Sequence, residues 1–329
     1  MTVIGRWGLA AGLFALAMGS ASAQTAIPLA TWGGQSHVGV REFPPAMERA
    51  LKELEPHGIK FQHFPGGQLG QDKDMPVAIP TGQVKFGWIT VNGWSGTVRD
   101  SKVMDAPTGL SMAQLDALID KPGGLMEQLQ KAFQAKNSVL LGLADLGPPA
   151  LVSKVPLLKP ADFKGKKIRV FSEGLAEAVR ALGGSPVQIP FADVYTAMQY
   201  GTVDAAILGF QGVESQRMYE VGKYVLVPAS FFGTTMMGWA ANKTWFDSLP
   251  EADRKVFVKA VDQASRHNRK AILEEIEHLT KNYRDRGMTV TFLTEQMPEY
   301  AQFKTVFDPV LKAALKQLSP PIAALVAPK

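Results

Sequence analysis

Between Ala252 and Asp285 the chain runs for 34 residues without a proline or a glycine. Charged residues of both signs are mixed with apolar ones throughout this stretch, as in Lys270-Ala-Ile-Leu-Glu-Glu-Ile-Glu277. At 1.5 Å per residue, a helix of about 35 residues reaches roughly 50 Å, more than the diameter of one small folding unit. Two helices meeting at a kink would fit the same stretch, but the usual causes of a kink are missing. One long helix that serves two packed units is therefore expected.

The rest of the sequence alternates short apolar runs with segments of helical spacing. Ile27–Trp32 reads as a strand ending at Gly33-Gly34, and Glu42–Leu54 as a helix with Met47, Ala50, Leu51 and Leu54 on one face. Ile59–Phe64, a short helix over Met75–Pro80 and a strand over Val84–Thr90 follow. A second series comprises strands at Ser138–Ala144, Ala150–Lys154, Lys166–Phe171, Val187–Pro190, Asp204–Gly209 and Tyr224–Val227, with helices at Gly174–Leu182 and Ala192–Tyr200. That order predicts two α/β units with largely parallel sheets, and a crossing near residues 144–150.

Residues 1–23 have the pattern of an export leader: one charge at Arg6, an apolar stretch over Trp7–Met18, and Ala21-Ser22-Ala23 as a cleavage site. The apolar stretch is shorter than the roughly 20 residues a membrane span needs. Removing the leader takes away Arg6 and no acid, so the net charge falls from +5 to +4. The basic residues are interspersed with acids, which excludes the clustered stripe of a nucleic-acid binder. The 329 residues contain no cysteine, which excludes disulfides, thiol nucleophiles and cysteine metal sites. An exported chain of this kind must take its stability from packed cores.

Signatures of catalysis are missing. The five histidines (His37, His57, His63, His267 and His278) form no metal-binding spacing, and there is neither a nucleophile elbow nor a phosphate-binding loop. No metal and no cofactor is expected. Arg169 stands out, since it lies in the strand Lys166-Lys167-Ile168-Arg169-Val170-Phe171 and faces opposite to Ile168 and Val170. A guanidinium near the end of such a strand either clamps a carboxylate through two parallel hydrogen bonds or lies in solvent on an edge. Ligands of open α/β sheets bind outside the carboxyl ends of the strands, which favours the clamp. Trp32, Trp88, Trp94, Phe171, Phe210, Phe232 and Trp239 also fall at strand ends or in loops, as the wall of a concave apolar cleft would require.

Several blocks taken in order resemble the DctP-type solute-binding proteins of TRAP transporters. They are Phe64-Pro-Gly-Gly-Gln-Leu-Gly-Gln-Asp72, Ile79-Pro-Thr-Gly-Gln-Val-Lys-Phe-Gly87 and Asp162-Phe-Lys-Gly-Lys-Lys-Ile-Arg-Val170. Leu182-Gly-Gly-Ser-Pro-Val187, Val194–Asp204, Tyr219–Tyr224 and Asn242–Pro250 continue the series. The resemblance implies a two-lobed, hinged α/β periplasmic binding protein of Venus-flytrap form with a long lobe-spanning helix. Lobe I would comprise residues 24–146 plus about 235–274, and lobe II residues 147–234 plus about 275–329. The ligand would be a small organic acid, the partners the TRAP permease membrane subunits, and the location the periplasm. Neither a nucleic-acid partner nor a membrane-embedded segment is implied. Arg169 matches the arginine that pairs with the ligand carboxylate. Trp32, Trp88, Asn92, Phe171, Phe210, Gln211 and Phe232 are the further expected ligand contacts. Gly147, Gly233 and Gly238 are expected at the hinge, near 144–150 and 230–238.

Two departures bear on the ligand. Where such proteins often read Asp-Gly-Gln-Glu-Asn-Pro, this chain reads Asp204-Ala-Ala-Ile-Leu-Gly209, so Leu208 replaces a polar contact. A second arginine before the crossing is replaced by Leu146-Gly-Pro-Pro-Ala150. A less polar pocket follows, suited to an apolar or aromatic carboxylate. A sensing subunit, or an enzyme on the same scaffold, would share the fold; a permease gene beside this one favours transport and a kinase gene favours sensing. The mature chain is expected to begin at Gln24, which the mass of the periplasmic protein checks. Retention of residues 1–23 overturns the leader assignment.

Overall fold

The computed structural model describes residues 25–33, 37–54, 59–145 and 147–327; the leader, residues 1–23, lies outside them. The strands in chain order are β1 (Thr25–Ala30), β2 (Ile59–Phe64), β3 (Phe86–Thr90), β4 (Ser138–Asp145), β5 (Pro149–Ser153), β6 (Lys167–Val170), β7 (Ser185–Gln188), β8 (Ala205–Gly209), β9 (Tyr224–Val227), β10 (Met236–Asn242) and β11 (Thr289–Phe292). They form two sheets, ordered β2-β1-β3-β10-β4 and β11-β9-β5-β8-β6-β7.

Each sheet has one reversed strand. β10 runs antiparallel to both β3 and β4, and β5 runs antiparallel to both β8 and β9. The cause is topological. β4 ends where the chain leaves the first lobe, so β5 enters the second lobe beside the carboxyl end of β8, with Pro149 opposite Gly209. β10 returns beside the carboxyl ends of β3 and β4, with Met237 opposite Thr90 and Ala144. A strand that enters from the hinge starts where the others stop, and the carboxyl ends of both sheets therefore face the same gap.

Both faces of both sheets are covered, and alternation along the strands distributes the side chains. On β10, Met237, Trp239 and Ala241 join one core cluster of the first lobe, while Met236 and Ala240 join the other. On β8, Ala205 and Ile207 face one way and Ala206 and Leu208 the other. The helix Glu251–Asp285 is continuous over 35 residues. Phe257, Ala260, Val261 and Ala264 of this helix pack in the first lobe, whereas Leu279 and Tyr283 pack in the second. The Tyr283 hydroxyl donates to the Phe210 carbonyl over 2.9 Å.

Three expectations are corrected. The helix expected from Glu42 begins at Val38 and holds Pro44 and Pro45 inside it. Its first turn is secured by packing, since a Cβ at Gly39 would lie 2.7 Å from the Trp88 ring. Gly238 is not a hinge: it is paired with Ile89 and Leu143 in the middle of β10. Gly147 and Gly233 do sit at the crossings with φ of 83° and 68°, backbone that favours glycine. Finally, the extreme C-terminus belongs with the first lobe. Leu318, Ile322 and Val326 of the segment ending in the helix Pro320–Val326 bury into the cluster of Trp94, Leu129 and Phe133, and Asp100 accepts from the Ser319 amide over 2.7 Å.

Asn242 joins three segments at the end of β10. Its Oδ1 accepts from the Trp245 amide, capping the helix Lys243–Ser248, and its Nδ2 donates to the carbonyls of Ile79 and Pro80. The residue is 4% exposed. Asn242→Ala removes the cap and one of two donors from each of the Ile79 and Pro80 carbonyls, which keep the Gly82 amide and Asn137 Nδ2, at a cost of about 1–3 kcal/mol. Urea unfolding measures this, with an unchanged m-value; a loss under about 0.5 kcal/mol, the level of an ordinary surface change, contradicts the role.

Candidate functional site

The gap between the lobes is a cleft of about 750 Å³, within the usual range for small-molecule sites. The first lobe contributes Trp32, His37, Asp72, Thr90 and Asn92 from the ends of β1, β2 and β3. The second contributes Arg169 and Phe171 from β6, Gln188 and Phe191 from β7, and Leu208 and Gln211 from β8. Thr235 and Met237 of the returning crossing complete the wall.

Arg169 is only 3% exposed. β6 lies between β8 and β7, so this is no edge arginine. The Nε group donates to the Ile189 carbonyl (2.9 Å) and Nη1 to the Ile207 carbonyl (2.8 Å), which ties the guanidinium to both neighbouring strands. Its Cζ stands 5.4 Å from the centre of the Phe171 ring. A guanidinium has five N–H donors, and these two bonds use two of them. No acid pairs with Arg169 among the described residues. Burial without a counter-charge lowers its pKa to about 10, so it stays cationic at neutral pH. A buried unpaired cation is costly, and an anion in the cleft relieves that cost.

Two amides in the wall are held by carboxylates. Asn92 Nδ2 donates to Asp105 Oδ1 over 2.8 Å, and the Ser172 hydroxyl donates to the same oxygen over 3.1 Å. Ser172 caps the helix Glu173–Ala181 of the second lobe, so this bond crosses the cleft. Burial pushes the Asp105 carboxyl above its usual range. Gln211 Nε2 donates to Glu275 Oε2 over 2.7 Å, on the long helix. The carbonyl oxygens of both amides are buried and receive no hydrogen bond from the described residues. Each unsatisfied carbonyl of this kind costs about 1–3 kcal/mol.

On the first-lobe side, Trp32 stacks on Trp88 at 4.6 Å, and Trp88 lies 6.0 Å from Trp239. His37 meets the edges or faces of Trp32, Trp88 and Phe191. Of the residues expected from sequence, Arg169, Trp32, Asn92, Phe171 and Gln211 are brought together in the wall. Trp88, Phe210 and Phe232 are not. Trp88 lies beneath Trp32, Phe210 packs on Tyr283 and Phe292, and Phe232 packs on Phe163 and Phe307. A strand end has two faces, and only one looks into the cleft. His37, Asp72, Gln188 and Phe191 were not foreseen. Asp72 closes one of the sequence blocks, and its Oδ1 accepts from the Thr90 amide over 2.9 Å. Among the described residues no group of three or more His, Cys, Asp or Glu could hold a metal ion, and no helix is long and apolar enough to cross a membrane.

The family model of the bacterial extracellular solute-binding proteins, family 7 (DctP), matches residues 33–317. A solute-binding protein of Verminephrobacter eiseniae is 29% identical over 91% of this chain and 90% of its own length. The C4-dicarboxylate-binding periplasmic protein DctP of Rhodobacter capsulatus is 29% identical over 77% of this chain and 75% of that protein. Among solved structures, a TRAP periplasmic solute-binding protein from Ochrobactrum anthropi aligns with a TM-score of 0.84 at 23% identity, covering 92% of this chain and 94% of that one. Another from Shewanella oneidensis, solved with bound succinate, gives 0.81 at 22% identity, covering 92% and 98%.

Burial holds the His37 pKa below the usual 6.5. The unfolded chain therefore takes up this proton first, so the stability that neutral His37 provides is complete above pH 6.5 and is lost as pH falls. His37→Gln removes the effect. Relative to the variant, the wild type should lose up to about 1.4 kcal/mol per pH unit below 6.5 and nothing above pH 7.5. Paired urea titrations from pH 5 to 8 measure the difference; a difference that does not vary with pH contradicts the assignment.

Proposed function

The chain belongs to the bacterial extracellular solute-binding proteins of family 7, and from that premise we propose that it captures a small organic acid between its lobes and hands it to the membrane subunits of a TRAP permease. The observation that carries this reading is Arg169, a cation fixed by two backbone carbonyls in a cleft wall with no acid among the described residues to neutralise it. The carboxylate of the solute is that partner. Phe171, Phe191, Leu208, Met237 and Trp32 cover its apolar part. The relatives named for dicarboxylates support the same chemistry. Export through cleavage after Ala23, release into the periplasm and closure of the lobes about the crossings at Gly147 and Gly233 complete the proposal. The lobes divide the chain near residue 146 and again near 235, with the C-terminal segment from Leu318 returned to the first lobe. The role is binding and delivery, with no reaction assigned to the cleft.

A thermal-shift screen of organic acids finds the ligand, since a solute at 100 times its dissociation constant stabilises by about 2.7 kcal/mol. Calorimetry with the best acid then tests Arg169. Truncating one partner of a buried charge pair costs roughly 2–5 kcal/mol. Arg169→Ala should therefore weaken binding by about 30-fold to several thousand-fold. Arg169→Lys should restore only part, because an ammonium lacks the planar fork. Affinity of Arg169→Ala within threefold of the wild type removes the carboxylate reading.

A further inference from the structure

At one end of the cleft the two lobes touch through side chains of their own. The first lobe brings Asp105, the last residue of the short helical turn Arg99–Asp105. The second brings Ser172 and Gly174, at the start of the helix Glu173–Ala181. The Ser172 hydroxyl serves both lobes. Its oxygen accepts from the Leu175 amide over 3.2 Å, which caps the helix, and it donates to Asp105 Oδ1 over 3.1 Å. Two residues on, the approach is closer still. A Cβ at Gly174 would lie 2.3 Å from Asp105 Cβ and 2.6 Å from its Cγ, which no packed carbons tolerate. The backbone does not call for glycine there, since Gly174 is not among the residues of positive φ and lies in a helix, where alanine is the better former. The helix thus carries a poor helix former at the place where a side chain would strike the other lobe. Asp105 is also held from behind. Asn92 Nδ2 donates to the same carboxyl oxygen over 2.8 Å, and the Thr234 amide of the returning crossing donates to the adjacent Met104 carbonyl over 2.7 Å. A Cβ at Gly233 would lie 2.4 Å from that carbonyl, so the crossing itself backs the segment.

We infer that Asp105 and the Ser172–Gly174 turn form a clasp, a contact between the lobes made by the protein alone that stabilises the closed cleft and sets how far it shuts. This is independent of the carboxylate reading of Arg169 and rests on the proposed closure of the lobes. A hydrogen bond of this kind shifts an equilibrium by about fivefold or more. Only the closed form makes it, so the bond raises the closed population whether or not a solute is present. Asp105 does not line the main cleft, so the clasp favours closure over every solute alike. It governs how long a solute is held, not which solute is chosen. The missing side chain at Gly174 is what lets the capped helix reach the carboxyl, and any side chain there acts as a wedge at the hinge end of the cleft.

The protein without solute tests the clasp. The chain has no cysteine, so a spin label on Lys73→Cys, exposed at the first-lobe rim, is the only label. Closure brings it toward the Gln188 and Phe191 amides of the second lobe, and their paramagnetic relaxation reports the closed population even where that is minor. Ser172→Gly removes the crossing hydroxyl, while glycine still serves as a helix cap. Gly174→Ala adds the obstructing Cβ while favouring the helix. Each should lower the relaxation enhancement about fivefold or more. A merely structural role for Gly174 predicts the opposite, a firmer helix with closure unchanged. An enhancement in either variant within about twofold of the unsubstituted protein overturns the clasp. If one variant does not fold, the other alone carries the test. Adding the acid found by the thermal-shift screen separates the two readings. Enhancement that rises with the acid but ignores both substitutions overturns the clasp and leaves closure intact. Enhancement that ignores the acid as well removes both.

Discussion

The two lobes share a helix that neither can release. Between Phe257 and Ala264 it fills the core beneath the first sheet, and from Leu279 to Tyr283 it fills the core beneath the second. Removing large buried side chains from such a place costs about 3–5 kcal/mol each, so the helix is fixed in both lobes at once. The two strand crossings, at Gly147 and through residues 228–235, run alongside. The proposed closure of the lobes is therefore confined to bending at these connections. The carboxyl ends of nine parallel strands, four in one sheet and five in the other, meet across the cleft.

Within this frame the chemistry is sparse. One guanidinium is fixed by strand carbonyls, two amides are oriented by acids behind them, and aromatic rings stack around the rest. In each acid that orients an amide, the oxygen that does so accepts a second hydrogen bond. Asp105 is occupied by Asn92 and Ser172, and Glu275 by Gln211 and Arg41. In the proposed binding role, Asp105 and Glu275 stand behind neutral amides, which keeps their charge away from an anion at Arg169.

Much of this was legible in the residues. The continuous helix followed from the missing prolines and glycines, most strands from short apolar runs, and Arg169 from a cation set between Ile168 and Val170. Other elements were not legible, for physical reasons. β10 carries no polar side chain before Asn242 because it is buried on both faces, so it shows no period, and its reversed direction depends on partners some 100–150 residues away. Trp88, Phe210 and Phe232 look like Trp32 and Phe171 in sequence. Which face of a strand end meets the cleft depends on the sheet's pairing, and this sends the first three into the cores. The C-terminal helix returns to the first lobe through Ile322 and Val326, whose spacing marks an apolar face but not its address.

The interleaving of the two sheets also bears on how the chain acquires its shape. The first sheet lacks its reversed strand until Met236 has been made, and the helix Val38–Leu54 meets its partner helix only in the stretch from Glu251 onward. The second sheet waits for β11. Contacts separated by so much chain form slowly, because the entropy of closing each long loop is lost before packing repays it. For the export proposed above, that delay is useful: a lobe whose last strand is still to come cannot finish folding while the remainder is being translocated.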